Sequence, residues 1–394
     1  MKSKLFTVDY TLIFLAAGLM RVCYQMQNTM MPLYGGVLGY SATQIGLSTT
    51  VCTIASLILR PMLGNLLDKY GRRWIALIGT ALFALATFLC GICAAFPMLL
   101  LLRGLQGLGF SSHTTAINTM ATDVIPEERM TEGIGYMGLT SSISHAIAPA
   151  LALYLIADGN YGMAFAGAAL AGVIAVVSIF FVRAKKPEHL QKAKDTEKAR
   201  GLDLFFERQA IRPALLMLLL SACFAGLTTF LATYALSKGF TKAEVGIYFT
   251  VNACATAAAR LCGGRISDRL GRRWSVLIAS AMCLMAFLLI PLAKSTVWLW
   301  IAAALHGLGY GTIYPMLNAM AVTQAPPERR GTAMATFLTG MDIGGGIGAS
   351  VCGMIIDLWG MESMFFICAG ITAGAYIAFR LMFPYTAREK QASA

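Results

Sequence analysis

Residues 64–73 read GNLLDKYGRR, and residues 264–273 read GRISDRLGRR. The two stretches share two glycines, an aspartate and a pair of arginines at matching places, at an offset of 200 residues. The same offset relates the run Gly-Leu-Gly at 107–109 to an identical run at 307–309. Matches repeated at one fixed offset indicate that the chain contains two copies of one structural unit.

Composition shows what kind of unit is repeated. Of the 394 residues, 57% are hydrophobic and 13% are charged, whereas a soluble domain carries about 25% charged residues. Many apolar stretches reach about 20 residues, enough to cross a bilayer core of about 30 Å. We therefore predict an all-α membrane protein with twelve transmembrane helices. The predicted helices span residues 10–34, 43–66, 74–95, 97–120, 131–156, 161–183, 213–236, 243–266, 274–294, 297–321, 331–356 and 361–384.

The longest polar stretch separates six predicted helices from the other six. We predict an N-terminal six-helix bundle at 1–184, a cytoplasmic linker at 185–212 and a C-terminal six-helix bundle at 213–394. Because six is an even number, each half enters and leaves the membrane on one side, so the repeats are parallel. Such an arrangement predicts a substrate site at the midplane between the halves, opened to each side in turn.

Lysine and arginine are distributed unevenly among the predicted loops. The net charge is +12, yet the loops opposite the termini hold only Lys238, Lys242 and Lys294. Basic loops mark the cytoplasmic side, so both termini are predicted in the cytoplasm of a multi-pass protein of the cell (inner) membrane. This pattern accounts for the charge without nucleic-acid binding. The apolar run after Lys4 continues to about Tyr34, and we interpret it as a retained first helix, because a cleaved signal is shorter.

Cysteine usage and catalytic motifs give no sign of an enzyme. Ten cysteines lie almost wholly in apolar segments, and Cys90 and Cys93 form a C-x-x-C without a second pair. Small buried side chains explain them better than a metal or redox site. The sequence lacks G-x-S-x-G, H-E-x-x-H and a nucleotide loop. We predict no enzymatic activity, no metal and no cofactor, with the proton as the coupling ion.

The two opening stretches resemble the G-x-x-x-D-[RK]-x-G-[RK]-[RK] signature of the major facilitator superfamily, and the resemblance extends over essentially the whole chain. It implies a twelve-helix secondary transporter similar to proton-coupled drug and metabolite exporters. It also implies a cytoplasmic gate latch in which Arg72 reaches Asp123, whereas Thr323 at the repeated position makes the second latch weaker. The alternative is that these loops are basic for topology alone. The latch candidates are Gly64, Asp68, Gly71, Arg72, Arg73, Asp123, Asp268, Arg272 and Arg273.

Helix 4 carries RGLQGLGF at 103–110, which resembles a second family motif. In proton-driven members, the buried arginine of that motif lies near the coupling site. An arginine inside a span pairs with an acid, holds an anionic substrate or extends to the headgroups. The sequence leaves all three roles open for Arg103.

Polar residues form single faces on three predicted helices. Helix 1 has them at positions i, i+3, i+4 and i+7 from Arg21, and helices 4 and 10 have matching series beginning at Gln106 and His306. Polar groups in a span face protein or a cavity, so these faces line a substrate cavity or form interhelical contacts. The substrate candidates are Arg21, Tyr24, Gln25, Asn28, Arg103, Thr114, Asn118, His306, Tyr310, Tyr314 and Asn318.

Three residues are candidates for proton coupling. Asp342 is the acid placed in the middle of a span, on helix 11, and a buried carboxylate suits proton transfer or a structural ion pair. His145 on helix 5 either titrates or is a hydrogen-bonded core residue. Arg103 is the third. Near His145, Pro149 fits the family's exporter motif, although serine and alanine replace most of its glycines.

These features favour a proton-coupled exporter of a small organic solute. The unshared buried charges include Arg21, so an anionic or zwitterionic, even amphiphilic, cargo is favoured. The alternative is an importer of a small organic acid, driven by protons or by exchange. A lipid-directed transporter and a receptor without transport fit the sequence less well. We expect a monomer whose partners are a small-molecule substrate and the lipid bilayer.

Overall fold

The computed structural model describes residues 5–156, 159–183, 207–326 and 329–383. It leaves the side chains of residues 61, 64, 65, 68, 127, 131, 263–270 and 331 undescribed. The described chain consists of twelve α-helices and contains no strand, so the predicted all-helical fold is confirmed. The helices are α1 (Val8–Val37), α2 (Ala42–Tyr70), α3 (Arg72–Cys90), α4 (Phe96–Val124), α5 (Met130–Leu155), α6 (Tyr161–Phe180), α7 (Ile211–Ser237), α8 (Lys242–Leu270), α9 (Arg272–Leu292), α10 (Thr296–Gln324), α11 (Arg330–Trp359) and α12 (Met361–Met382).

The helices form two compact units, Met1–Lys198 and Ala199–Ala394. In the first, α2 and α3 pack on α4, and α1 packs on α5 and α6. In the second, α8 and α9 pack on α10, and α7 packs on α11 and α12. Each contact therefore recurs six helices later, as two copies of one fold require. The predicted linker at 185–212 lies mostly outside the described residues.

A repeated glycine explains one of these close crossings. A Cβ atom on Gly107 would lie 2.0 Å from the carbonyl oxygen of Cys52, and one on Gly307 would lie 2.3 Å from that of Asn252. Both distances are far inside van der Waals contact. Glycine at this position lets α4 approach α2, and α10 approach α8, more closely than any other residue would allow.

Nine described segments are long and apolar enough to cross a membrane. The helices outside this set are α1, α4 and α10. They are the three on which the sequence places a polar face, and those faces lower their average hydropathy. These three helices are also the candidates for contact with a polar cargo.

The connection between the second and third helices is shorter than predicted. The sequence places residues 64–73 in a loop, but residues 64–70 form the last two turns of α2 and α3 begins at Arg72. The helix continues through Gly64 to Tyr70, beyond the apolar region. Gly71 alone breaks the helix, at φ +87°, and Gly271 does so in the second unit at φ +82°. Positive φ is unfavourable for residues with a Cβ atom, which accounts for glycine at both places.

Candidate functional site

The first arginine of each signature bonds to the end of the neighbouring fourth helix of its unit. Arg72 forms an ion pair with Asp123, joining the start of α3 to the end of α4. In the second unit Nη1 of Arg272 donates to Oγ1 of Thr323 at 3.3 Å. The structure thus brings together the expected partners, with an ion pair in one unit and a hydrogen bond from arginine to an uncharged hydroxyl in the other. The side chains of Asp68 and Asp268 and the surroundings of Gly64 are not described, and the latch role itself stays a prediction.

The second arginine of each signature caps a different helix. Arg73 donates through Nη2 to the carbonyl oxygen of Phe180, the last residue of α6. Nη2 of Arg273 lies 3.5 Å from the carbonyl oxygen of Arg380, near the end of α12. A cation at the carbonyl end of a helix satisfies unpaired oxygens and complements the helix dipole. Arg73 and Arg273 thus each join the start of the third helix to the end of the sixth helix of their own unit.

Arg103 is enclosed within the N-terminal unit. Only 1% of its surface is exposed. Its Nε donates to the carbonyl oxygen of Ser48 at 3.2 Å and its Nη1 to Oε1 of Gln106 at 3.0 Å. Nε2 of Gln106 donates in turn to Thr87 at 3.0 Å, and Nε2 of Gln27 lies 3.4 Å from Oε1 of Gln106. This network ties α1, α2, α3 and α4 together, and it accounts for Arg103 without a ligand or the headgroups.

Arg21 has different surroundings. It lies half-buried on α1, and no described residue gives it a hydrogen bond or an ion pair. Three residues further along, Tyr24 stacks on Phe110 of α4 at 4.2 Å between ring centroids. On the same face Oδ1 of Asn28 is buried without a donor among the described residues. This face of α1 therefore presents a cation and an acceptor whose bonding capacity the described chain does not use.

Sequence reasoning missed a histidine that interacts with Arg21. His113 on α4 is 1% exposed, and its Nδ1 lies 2.7 Å from Oγ1 of Thr80 on α3. Arg21 is close enough to interact with it electrostatically. The signal in the sequence is that His113 falls three residues after Phe110, while Ile313 stands at the repeated position.

The second unit repeats the stacking of Tyr24 on Phe110, but with phenylalanine and tyrosine exchanged between the two helices. Phe224 of α7 stacks on Tyr310 of α10 at 4.3 Å with an interplanar angle of 10°. These two residues stand 200 positions after Tyr24 and Phe110. His306 continues the stack against Phe224 at 5.6 Å, and its Nδ1 lies 3.2 Å from Nδ2 of Asn252. His306 is therefore held within its own unit.

The other substrate candidates are scattered. Gln25 is buried. Thr114 donates back to the carbonyl oxygen of Phe110 at 2.8 Å. Asn118 is exposed, whereas Oδ1 of Asn318 is buried without a described donor. The structure thus groups Arg21, Tyr24 and Asn28 closely, and it gives Thr114 a local bond only.

Asp342 is half-buried on α11. Tyr314 interacts electrostatically with both Asp342 and Arg260, as does Tyr310. The sequence shows Arg260 only as part of the repeat, so the arginine near this acid is a further residue that sequence reasoning missed. His145 has a local contact, since its Nδ1 lies 2.7 Å from the carbonyl oxygen of Ser141 one turn earlier.

The family model described as Major Facilitator Superfamily matches residues 13–243 and again 231–394. The chain belongs to the Major Facilitator Superfamily. As a superfamily member it is a multi-pass membrane transporter. It is 24% identical over 354 residues to the staphylopine export protein of Staphylococcus aureus, covering 86% of this chain and 87% of that one. It is 25% identical over 352 residues to an MFS-type transporter of Escherichia coli K12, covering 86% and 84%.

Solved structures of the superfamily share this fold. The nucleoside transporter NupG superposes with a TM-score of 0.80 at 16% identity, covering 97% of this chain and all of that one. A bacterial homologue of the human lysosomal transporter Spinster, solved inward-facing and unoccupied, gives 0.77 at 16% identity with 96% and 98% covered. The human organic anion transporter MFSD10 gives 0.66 at 19% identity with 94% and 99% covered. At these identities the likeness shows the fold alone.

Proposed function

We propose that the protein is a secondary active exporter of a small organic anion or zwitterion, coupled to protons and working by alternating access. The observation that carries the proposal is the Arg21 guanidinium. It lies within α1 and receives no carboxylate from the described residues. A charge inside a span is costly, and it is retained where a cavity or a ligand supplies its counter-charge.

The repeat supports a functional reason for this arginine. Ser221 occupies the matching position of α7 and is 3% exposed. The same fold is therefore built without a cation at this place. A planar guanidinium that can donate two parallel hydrogen bonds is well suited to a carboxylate. The stacked rings of Tyr24 and Phe110 beside it offer apolar area for the rest of the cargo.

Proton coupling is assigned to Asp342. Its carboxylate and the guanidinium of Arg260 both interact electrostatically with Tyr314, and a cation in this region can compensate the charge of the carboxylate when the proton leaves. Arg103 is less suited to this role because it is fixed in a buried network. His145 is less suited because its Nδ1 is engaged by the carbonyl oxygen of Ser141 on its own helix.

Export is favoured over import by the name of one relative, the staphylopine export protein of Staphylococcus aureus. The direction is tested in inside-out vesicles acidified by the respiratory chain. A cargo identified by thermal shift of the purified protein, from a panel of organic acids and amino-acid-like zwitterions, is added outside. Export predicts that protons leave the lumen as the cargo enters. Proton movement of the opposite sign would establish the alternative, an importer of an organic acid.

The role of Arg21 is tested in the same assay. Arg21→Ser copies the second unit and should abolish the thermal shift by the cargo, while Arg21→Lys should retain a weakened shift because a point charge replaces the planar donor pair. A full shift in Arg21→Ser would remove Arg21 from the site. Because ligand stabilisation depends on concentration over affinity, the whole panel is titrated for each variant.

A further inference from the structure

His113 is a buried imidazole outside both family signatures. Its Nδ1 lies 2.7 Å from Oγ1 of Thr80, and that same oxygen lies 2.6 Å from the carbonyl oxygen of Ala76. A hydroxyl has one proton, and a carbonyl oxygen can only accept. Thr80 therefore donates to Ala76 and accepts from Nδ1–H of His113. In the neutral ring this leaves Nε2 as an acceptor, and no described residue donates to it.

The charged group that interacts electrostatically with this ring is Arg21 on α1. Since a second positive charge beside a guanidinium is unfavourable, the neutral ring is the form that the surroundings favour. The two side chains then differ in what they can bind. Arg21 offers N–H donors with a positive charge, and His113 offers one lone pair.

The second unit again serves as an internal control. The position of His113 is occupied there by Ile313, which is fully buried, and that of Arg21 by Ser221. Ser280 stands at the place of Thr80 and is also buried. The fold thus packs well with an apolar side chain at this position, so packing does not require the imidazole.

We propose that Arg21 and His113 together bind a carboxylate that carries a hydrogen-bond donor on the adjacent carbon, that is, a 2-amino- or 2-hydroxycarboxylate group of the cargo. Arg21 binds the carboxylate, and the neighbouring N–H or O–H donates to Nε2 of His113. Thr80 is a positioning residue that fixes the tautomer. This inference rests on the proposed function in taking Arg21 as a cargo residue, and it narrows the cargo from anions in general to this class.

The test observes the imidazole directly. The chain has four histidines, so protein labelled with ¹⁵N-histidine gives a small set of side-chain signals, and His113→Ile identifies the one of interest. We expect the Nδ1–H tautomer in the free protein. L-alanine and L-lactate should each shift the Nε2 signal of His113, and propionate, which has the same chain length without the donor, should not. The signals of the other histidines are recorded in the same spectrum for comparison.

Matched variants separate positioning from packing. Thr80→Ser introduces the residue of the second unit and keeps the hydroxyl, so tautomer and response should persist. Thr80→Val keeps the shape without the hydroxyl, and it should release the tautomer and weaken L-alanine binding about tenfold, as loss of one hydrogen bond predicts. Arg21→Ser should remove the response to both ligands while leaving the tautomer in place.

Three results would overturn the proposal: the Nε2–H tautomer in the free protein, no shift with L-alanine or L-lactate up to their solubility limits, or an equal response to propionate. The outcome is separable from that of the proposed function. If the His113 signal does not respond but the protein exports an organic acid, the proposed binding site is wrong and the proposed export function stands. If the His113 signal responds but no transport is measured, the proposed binding site stands and the proposed export function is wrong.

Discussion

Two arginines of the N-terminal unit show how differently one residue type can be used. Arg103 is enclosed and bonded to Ser48 and Gln106, whereas Arg21 is half-buried without a bonded acceptor among the described residues. The first is expected to stabilise the unit and the second to bind cargo. Substitution of Arg103 should therefore lower the stability of the protein, and substitution of Arg21 should lower its affinity for cargo.

Replacing Arg103 should destabilise the protein. Arg103→Ala removes two hydrogen bonds from a charged donor and leaves the Gln106 carbonyl oxygen with less support, which predicts a loss of about 2 kcal/mol or more. Thermal unfolding of the purified variant in detergent measures the effect. Arg21→Ser is the matched control and should unfold near the wild-type temperature. If Arg103→Ala unfolds like wild type but loses ligand binding, Arg103 belongs to the cargo site.

Neutralising the acid of α11 should uncouple transport from the proton gradient. We expect Asp342→Asn to lose uphill transport while cargo exchange across the membrane continues, because asparagine cannot release a proton. Counterflow and gradient-driven uptake in the same vesicles separate the two activities. Normal gradient-driven transport by this variant would assign the proton to another group.

The residues of the site could be predicted from the sequence only in part. Helical periodicity placed Arg21, Tyr24 and Asn28 on one face correctly, because spacing along a helix is a local property. It could not separate Arg103 from Arg21, since the inside of a bundle and the wall of a cavity both exclude lipid. His113 could not be identified from the sequence, because the residues it interacts with, Thr80 and Arg21, belong to other helices.

At the scale of helices, close approach depends on small residues at matching places. Gly107 touches the backbone of α2, and the second unit repeats the contact. The helices themselves were predictable to within a few residues, because long apolar runs bounded by charge specify them. The continuation of α2 through residue 70 was not, since apolar runs mark the membrane boundary and a helix can extend past it.

Alanine in place of a glycine at this crossing should destabilise the protein only where the added Cβ atom meets the backbone of α2. Gly107→Ala places a Cβ atom 2.0 Å from a carbonyl oxygen, and overpacking of this kind costs about 2 kcal/mol. Gly104→Ala, one turn earlier, meets its nearest neighbour at 3.7 Å and should be tolerated. Yield and unfolding temperature of the two variants decide the point. Equal behaviour would show that α4 can move away from α2.

The whole molecule is two copies of one unit, and we propose that the differences between the copies carry the specific chemistry. The shared residues are glycines, signature arginines and helix contacts, and the unshared ones include Arg21, His113, Asp123 and Asp342. Such a chain supplies its own controls, because each unit shows which substitutions the fold accepts. The division into shared and unshared residues was visible in the sequence, although the contacts that each unshared residue makes were not.

The ion pair at the start of α3 should govern cycling more than binding. Asp123→Thr copies the second unit, in which Arg272 meets Thr323, and should change the rate of transport while leaving cargo affinity unchanged. Thr323→Asp adds the missing charge and should slow opening by holding the second contact closed. Transport rates and equilibrium binding are compared for both variants. Unchanged transport rates in both would remove the latch role.

The single-residue break at Gly71 fixes the length of the chain between α2 and α3. One inserted residue that extended the helix would turn α3 relative to α2 by about 100° and displace it by about 1.5 Å. Arg72 would then point away from Asp123, and Arg73 away from the end of α6. Insertions and deletions should therefore be rare at this junction in natural variants, and the same applies at Gly271. Engineers who need a site for a tag or a reporter domain should choose another connection.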